Sequence, residues 1–265
     1  MTLPVALTIA GSDSGGGAGI QADLKTFHAF GVFGTSAVTA ITAQDTTGVH
    51  GVHAIPVDLV RRQIEVVAAD LRPAAVKTGM LATTALVEEV ARAIRDLGLP
   101  NYVLDPVMVA TSGDRLLDRD AESAVAERLL PLATVVTPNL DEARLLAGRE
   151  LRDEADMRAV AQTLVERGAA AALVKGGHLE GDEVVDVLVD AEGTRTWRRA
   201  RLHTTSTHGT GCTLSAAIAA GLARGRPLRD AVDVALDFAH RAIAGAPGLG
   251  AGHGPLNHFV APRSD

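Results

Sequence analysis

The chain has 265 residues, a formal net charge of -7 and one cysteine. Its basic residues are scattered along the sequence, so the phosphate backbone of a nucleic acid is not an expected partner. A single cysteine rules out an internal disulfide and suits a reducing compartment, so we expect a cytoplasmic protein. No linker-like tract divides the chain, and residues 1–265 are expected to form a single domain.

The first predicted element is an apolar strand at residues 5–10, which is too short for a membrane span and lacks the basic flank of a signal. A glycine-rich stretch, residues 11–19, separates it from a helical pattern at residues 20–30. This stretch matches neither a Walker A loop nor the dinucleotide-binding spacing, and indicates either a flexible turn or a close approach of the backbone to a ligand. Asp23 would accept hydrogen bonds from that ligand or only compensate the helix dipole.

The next predicted strand, residues 35–43, ends at Gln44. A side-chain amide offers a donor and an acceptor together, which suits the edge of a heterocycle, although Gln44 alone would be an ordinary loop residue. Helices are predicted at residues 57–71 and 82–97, with a short strand between them. That strand leads into a glycine turn and Met80, which by default would fill the core.

Three later strand ends carry polar side chains. A strand from residue 102 ends at Asp105, a strand from residue 134 precedes Asn139 and Glu142, and a strand at residues 170–174 precedes Lys175. In a parallel sheet these ends meet in one crevice, where Asp105, Asn139 and Glu142 would supply hard oxygen ligands for Mg²⁺. A capping box would by itself explain Asn139 and Glu142.

A hairpin at a sheet edge is predicted for residues 184–201, and the last long helix for residues 227–246. Between them, Gly209, Thr210, Gly211 and Cys212 lead into an apolar helix. Glycines at a helix start would point several N–H groups at one anion, and the helix dipole would lower the pKa of the Cys212 thiol. The alternative is a glycine turn with a small buried cysteine.

Strands that alternate with helices in this way predict an α/β fold, with a mostly parallel sheet covered by helices on both faces. Ligands for Mg²⁺, a lysine, backbone N–H donors and a base suit phosphoryl transfer, in which positioning and charge neutralisation do most of the catalysis. Composition does not identify the acceptor. The histidines lack the spacing of a zinc site.

Five motifs closely resemble, in the same order, those of the bacterial hydroxymethylpyrimidine/phosphomethylpyrimidine kinases of thiamine biosynthesis. They are residues 11–23, 105–113, 137–143, 174–178 and 207–212. The resemblance implies a ribokinase-like three-layer α/β/α fold with an antiparallel edge hairpin. In most of that superfamily the last motif ends in an aspartate base, so Cys212 favours the pyrimidine and related vitamin kinases over the sugar kinases.

The resemblance also implies roles for individual residues. The pocket for the aminopyrimidine would comprise Gly11, Asp23, Gln44, Met80 and Val107. The transferring phosphate and the acceptor hydroxyl would meet Gly209, Thr210, Gly211 and Cys212, with Cys212 as the base. Mg²⁺ would be held by Asp105 and Glu142, and ATP by Lys175, Asn139 and Thr207. The loop at residues 107–114 would cover the site. Ser206, where the family commonly has asparagine, receives no role.

The implied activity is phosphorylation of 4-amino-5-hydroxymethyl-2-methylpyrimidine, and then of its monophosphate, with ATP and Mg²⁺. A pyridoxal-type vitamin kinase would share the same crevice. A nucleotide-dependent dehydratase and a non-catalytic pyrimidine binder on this fold are further alternatives, although a binder has no chemical reason to keep a base, metal ligands and a lysine together. The edge hairpin and the apolar helices favour a homodimer.

Overall fold

The structure of the protein, a computed structural model, describes residues 3–108, 119–177 and 181–263. In this part of the chain, nine strands form one sheet. The strands are β1 (Val5–Asp13), β2 (Phe33–Gln44), β3 (Val49–Ala54), β4 (Ala75–Thr78), β5 (Tyr102–Leu104), β6 (Val135–Val136), β7 (Ala172–Lys175), β8 (Glu183–Asp190) and β9 (Gly193–Ala200). The helices are α1 (Gly19–Ala29), α2 (Val57–Leu71), α3 (Thr84–Asp96), α4 (Arg119–Ala124), α5 (Leu140–Ala147), α6 (Glu154–Glu166), α7 (Thr210–Ala223) and α8 (Leu228–Ala244).

The sheet has the order β3-β2-β1-β4-β5-β6-β7-β8-β9. Strands β2, β1, β4, β5, β6 and β7 pair in parallel in this order. At one edge of the sheet, β8 pairs antiparallel with β7, and β9 pairs antiparallel with β8. The predicted parallel sheet with an antiparallel edge hairpin is therefore confirmed. The opposite edge is also antiparallel, because β3 folds back on β2. The sequence pattern did not predict β3, since its residues are mostly exposed and show no apolar alternation.

Successive residues of the central strands face opposite layers, as the two-residue period of a strand requires. Leu7 and Val76 pack in one core beneath α2 to α6, while Ala6 and Ala75 pack in a second core against α1, α7 and α8. The three-layer α/β/α arrangement implied by the resemblance is thus observed. Helix α6, which the sequence pattern did not single out, completes the first of these layers.

The order in which successive strands join the sheet reverses at β1. Strand β2 lies on one side of β1 and β4 on the other. The connection that leaves β1 leads to β2 and the one that leaves β4 leads to β5, so the two diverge at the carboxyl ends of these adjacent parallel strands. Such a switch point opens a crevice at the strand ends, where ligands bind in open α/β sheets. Helix α7 packs across this region and contacts α1, β1, β4 and β5.

The segment after residue 247, for which the sequence predicted no element, returns to this crevice. The backbone N–H of His253 donates to the Thr46 carbonyl at 2.7 Å, and the N–H of His208 donates to the Gly254 carbonyl at 3.1 Å. The tail therefore connects the loop after β2 with the loop before α7. No helix of the described residues is long and apolar enough to cross a membrane.

Phe238 provides a test of the second core. It is fully buried on α8, and its ring packs edge-on against Phe30 with 5.0 Å between the centroids. We expect Phe238→Ala to lower the free energy of unfolding by about 3–5 kcal/mol, because it removes buried apolar contacts and leaves a cavity. Phe259→Ala is the matched control, since Phe259 is fully exposed, and should change stability by no more than about 0.5 kcal/mol. Urea denaturation measures both, and equal effects would contradict the layer assignment.

Candidate active site

A cavity of about 730 Å³ opens at the carboxyl ends of the strands, at the switch point. Its size is typical of small-molecule sites. All the residues that the resemblance assigns to the site line this cavity, with the exception of Asp23. The part of the predicted covering loop from residue 109 to residue 114 lies outside the described residues, as does His178 of the lysine motif.

The start of α7 closes one wall of the cavity. Gly209 has φ +80°, a left-handed conformation, and a Cβ on it would overlap the Gly17 carbonyl oxygen. Both constraints require glycine. The helix begins at Thr210, whose Oγ1 donates to the Thr207 carbonyl at 2.8 Å. Backbone N–H groups in the first turn of a helix have no preceding helical carbonyl to bond, so this wall offers donors to an anion.

Cys212 lies in the first turn of α7 and lines the cavity, but its thiol differs from the prediction. Burial raises the pKa of Cys212 to about 11, and the negative charges of Asp23 and Asp105 add to this effect. The positive charge of Lys77 lowers the pKa only in part. The expectation of a lowered pKa is therefore wrong for the free protein. It considered only the helix start and omitted the desolvation and the two carboxylates that the fold places nearby.

Asp23 does not reach the cavity. Its side chain is fully buried, and Oδ1 and Oδ2 accept hydrogen bonds from the Lys77 ammonium at 3.0 and 2.9 Å. The Thr8 hydroxyl donates to Oδ2 at 2.6 Å. In the free protein both carboxylate oxygens are thus occupied, and the direct contact between Asp23 and a ring stays a prediction that this geometry does not support. The structure instead shows Asp23 holding a buried lysine.

Lys77 is a cavity-lining residue that the sequence reasoning missed. It lies on β4 with its side chain fully buried, and its Nζ is 4.0 Å from Asp105 Oδ2. Burial lowers the pKa of the ammonium, but the charges of Asp23, Cys212 and Asp105 raise it well above its usual value. Lys77 therefore stays protonated. A lysine in a short, otherwise apolar strand was the sequence signal that could have identified it.

A second lysine, which is largely buried, lines the cavity floor. Lys175 is the last residue of β7, and its Nζ is 3.4 Å from Asp105 Oδ1. Asp105 also accepts a hydrogen bond from the Ser215 hydroxyl of α7 at 3.1 Å. Burial lowers the pKa of Lys175, whereas Asp105 and Glu142 raise it to a net value above the usual range. A Cβ on Gly211 would lie 3.2 Å from Lys175 Nζ, so this ammonium is directly beside the start of α7.

Asn139 and Glu142 form the predicted capping box at the start of α5. Asn139 Oδ1 accepts from the Glu142 N–H at 2.9 Å, and Glu142 Oε2 accepts from the Asn139 N–H at 2.8 Å. The structural explanation given by the sequence is therefore observed, and both residues also line the cavity. Burial raises the pKa of Glu142 to about 7, Lys175 lowers it and Asp105 raises it. Among the described residues, no group of three or more His, Cys, Asp or Glu could hold a metal ion.

Gly11, Gln44 and Met80, together with Val107 after β5, also line the cavity. A Cβ on Gly11 would overlap the Met80 methyl group, so glycine is needed there for Met80 to occupy its position. Gln44 ends β2, and its backbone is bound to the Ser14 hydroxyl through both its N–H and its carbonyl. Four of the five residues predicted for ring binding thus line the cavity, and the fifth, Asp23, does not.

Comparison with known proteins identifies the family to which the chain belongs. The model of the phosphomethylpyrimidine kinase family matches residues 13–257. A hydroxymethylpyrimidine/phosphomethylpyrimidine kinase of Rhizobium meliloti (strain 1021) is 53% identical over 258 residues, which cover 96% of this chain and 97% of the relative. The chain belongs to the phosphomethylpyrimidine kinase family. It is therefore a phosphotransferase, and the dehydratase and the non-catalytic binder are set aside.

Two solved structures place this kinase in the ribokinase-like fold. An ADP complex of Bacillus subtilis pyridoxal kinase has a TM-score of 0.90 and 41% identity, and the match covers 97% of this chain and 98% of that chain. A phosphomethylpyrimidine kinase from Clostridium difficile 630 has a TM-score of 0.82 and 40% identity, with 91% and 99% covered. As a member of a kinase family, this protein uses ATP.

The raised pKa of Cys212 can be tested directly, because this kinase has no other cysteine. We expect the rate of alkylation by iodoacetamide in the free protein to rise with pH around a midpoint near 11, since only the thiolate reacts. The same protein unfolded in urea should show a midpoint near the ordinary value of about 8.5. Mass spectrometry of the intact protein measures both profiles. Coincident midpoints would show that the fold does not perturb this thiol.

Proposed function

We propose that this protein transfers the γ-phosphoryl group of ATP to the hydroxymethyl group of 4-amino-5-hydroxymethyl-2-methylpyrimidine, and then to the resulting monophosphate, in thiamine biosynthesis. The observation that carries the proposal is the position of Cys212. Cys212 lines the same cavity as Gly11, Gln44 and Met80. Its thiol accepts a hydrogen bond from the Gly19 N–H, beside Gly11, and is close enough to Lys77 and Asp105 for their charges to shift its pKa. An alcohol bound beside Gln44 would thus face a phosphate bound at the start of α7.

The start of α7 is the proposed site of the transferring phosphoryl group. Backbone N–H groups at Gly209, Gly211 and Cys212 would stabilise its charge, while the Thr210 N–H donates to the Thr207 carbonyl at 3.2 Å and holds the turn. The Lys175 ammonium beside Gly211 would stabilise the same charge from the floor. Such fixed donors and charges contribute most of the catalysis in phosphoryl transfer. The nucleotide would extend past Asn139 and Thr207, which line the same cavity.

Cys212 is the proposed general base for the acceptor hydroxyl. Its raised pKa means that the thiolate is rare in the free protein, and two of the charges that raise it belong to Asp23 and Asp105. Neutralising Asp105 with a cation would therefore favour the thiolate when the reactants are bound. Lys77, which is held by Asp23, favours the thiolate as well.

Mg²⁺ is the cation that we propose for the floor. Asp105 and Glu142 supply hard carboxylate oxygens within one buried cluster, which suits Mg²⁺. The described residues offer fewer ligands than a complete protein site would need. This agrees with a Mg²⁺ ion that takes its remaining ligands from nucleotide phosphates and water. The ion would neutralise charge on the phosphates and on the two carboxylates.

We further propose a single-domain, cytoplasmic homodimer. One continuous sheet lies between the two cores, which supports a single domain. A base that must stay a free thiol fits a reducing compartment. The antiparallel edge formed by β2 and β3 exposes Phe33, Ile41 and Val52, and apolar side chains on such an edge are a basis for self-association.

A second candidate acceptor is pyridoxal, because the Bacillus subtilis structure that this chain matches at a TM-score of 0.90 is a pyridoxal kinase. The deciding experiment is mass-resolved product formation from ATP and Mg²⁺ with the pyrimidine alcohol, and with pyridoxal in parallel. We expect the pyrimidine monophosphate to appear first and the diphosphate later. Phosphorylation of pyridoxal alone would contradict the pyrimidine assignment and leave the phosphate site intact.

The base role predicts that Cys212→Ala lowers kcat by about 10²- to 10⁴-fold, as the loss of a general base does. Cys212→Ser is the matched variant, since it keeps the approximate size of the side chain but raises the pKa of the group that would act as the base. Its kcat should also fall by at least about 10²-fold. Steady-state kinetics with the pyrimidine alcohol measure both variants. Near-normal turnover by Cys212→Ala would show that Cys212 is not the general base.

The magnesium role predicts a selective effect of Glu142→Gln. Glutamine preserves the capping box but removes the charge, so the fold should remain while the Mg²⁺ concentration for half-maximal activity rises about tenfold. Glu166→Gln is the matched control, because it makes the same change of side chain at an exposed position on α6 that does not line the cavity. It should leave the Mg²⁺ dependence unchanged. If wild type and Glu142→Gln show the same dependence of activity on Mg²⁺ concentration, Glu142 serves only to cap the helix.

A further inference from the structure

We propose that His208, held by Asp13, fixes the orientation of the Gln44 side-chain amide and so determines which hydrogen-bonding pattern of a ring the cavity accepts. Neither His208 nor Asp13 was assigned a role from the sequence, although both line the cavity. The inference rests on the proposed function, because it concerns how Gln44 recognises the ring. It makes His208 a positioning residue for specificity, distinct from the groups that transfer the phosphoryl group.

The Asp13 carboxylate acts only as an acceptor. Oδ1 accepts from the Gly15 N–H at 2.8 Å, and Oδ2 accepts from the N–H groups of Gly17 and Ala18 at 3.0 and 2.8 Å. The fourth contact is with His208, whose Nε2 lies 2.8 Å from Oδ2. Burial raises the pKa of Asp13, but these hydrogen bonds, led by that of His208, lower it to a net value below the usual range. Asp13 is therefore ionised and has no proton to give.

It follows that His208 Nε2 carries a proton and donates it to Asp13. The same nitrogen lies 3.4 Å from the end of the Gln44 side chain, at the atom assigned as Nε2. Two N–H donors cannot bond to each other. The oxygen and nitrogen of a side-chain amide are distinguished by their hydrogen-bond partners, so the network assigns the Gln44 oxygen to the His208 side.

The other end of the amide gives the same assignment independently. It lies 3.2 Å from Thr42 Oγ1, and that hydroxyl donates its single proton to the Ser12 carbonyl at 2.8 Å. Thr42 Oγ1 can therefore only accept, which requires the N–H₂ group of Gln44 on this side. Gln44 then donates to Thr42, and Thr42 donates to Ser12. The single Nε2 proton of His208 points mainly to Asp13 at 2.8 Å, and the Gln44 oxygen shares it at the longer distance of 3.4 Å, where an amide N–H₂ group would instead meet a second donor.

A fixed amide presents its carbonyl and its N–H to the cavity in a fixed order. The 4-aminopyrimidine ring carries an amino donor next to a ring-nitrogen acceptor, which complements that order. The 4-oxo analogue carries a carbonyl acceptor next to an N–H donor, so in the same pose it would meet acceptor with acceptor and donor with donor. Rotating the amide to accept this analogue would break the contacts with both His208 and Thr42, and the protein therefore rejects it.

His208 also connects the loop before α7 with the glycine loop after β1, since a Cβ on Gly17 would overlap its ring. A purely structural link between the two loops would affect every acceptor alike. Positioning of the amide instead changes the ratio of kcat/KM for the 4-amino ring to kcat/KM for the 4-oxo ring. This ratio separates the two roles.

The experiment measures that ratio with 4-amino-5-hydroxymethyl-2-methylpyrimidine and its 4-oxo analogue. We expect His208→Leu to reduce the ratio about tenfold or more, because the amide loses the contact that opposes its rotation. His208→Gln, which keeps a terminal N–H donor, should recover most of the ratio. In a Gln44→Ala background, His208→Leu should change the ratio by less than about twofold, since the group it positions is absent.

Thr42→Val provides a second, independent variant at the other end of the amide, and decides the matter if His208→Leu does not fold. It should lower the ratio in the same direction. An unchanged ratio in the folded variants, with kcat/KM lowered equally for both rings, would overturn the inference and leave the proposed function standing. Absence of turnover of either pyrimidine by the wild-type protein would instead overturn the proposed function, and the inference with it.

Discussion

The close approach of Gly209 to the Gly17 carbonyl is the constraint on which the cavity depends. No other residue type fits at Gly209, because its backbone is left-handed and a Cβ would overlap that oxygen. The contact brings the loop after β1 against the start of α7. Asp13, His208 and Cys212, which belong to these two segments, thereby come to surround one end of a single cavity.

Buried charges of alternating sign form the floor beneath this contact. Lys77 lies between Asp23 and Asp105, and Lys175 lies between Asp105 and Glu142. Each charge is costly to bury alone, so the loss of one member would leave its neighbours uncompensated. Because the charges are fixed by strands and helices before any ligand binds, the floor requires little reorganisation when a polyanion enters. The same arrangement explains why Cys212 has a raised pKa in the free protein.

The sequence was sufficient to predict the layers of the fold, because the apolar periods are regular. The polar residues at strand ends, together with the resemblance to a kinase family, were sufficient to locate the cavity. It could not place Asp23, which lies on α1, because the lysine that binds its carboxylate, Lys77, lies on β4, 54 residues along the chain. The pKa of Cys212 depends on burial and distant charges, which a local rule for helix starts does not contain. Strand β3 and the returning tail have no apolar period, so tertiary contacts alone define them.

The contacts of the returning tail also determine when the site can be completed during protein synthesis. The Gly252 N–H bonds to Thr46 across a separation of 206 residues, and His208 meets Asp13 across 195. The loop after β1 is synthesised long before the residues that it contacts. His208, which precedes α7, is synthesised much later, and Gly254, which binds His208, later still. A chain still being translated can fold its first strands and helices, yet this part of the cavity is completed only after residues 253 and 254 have left the ribosome.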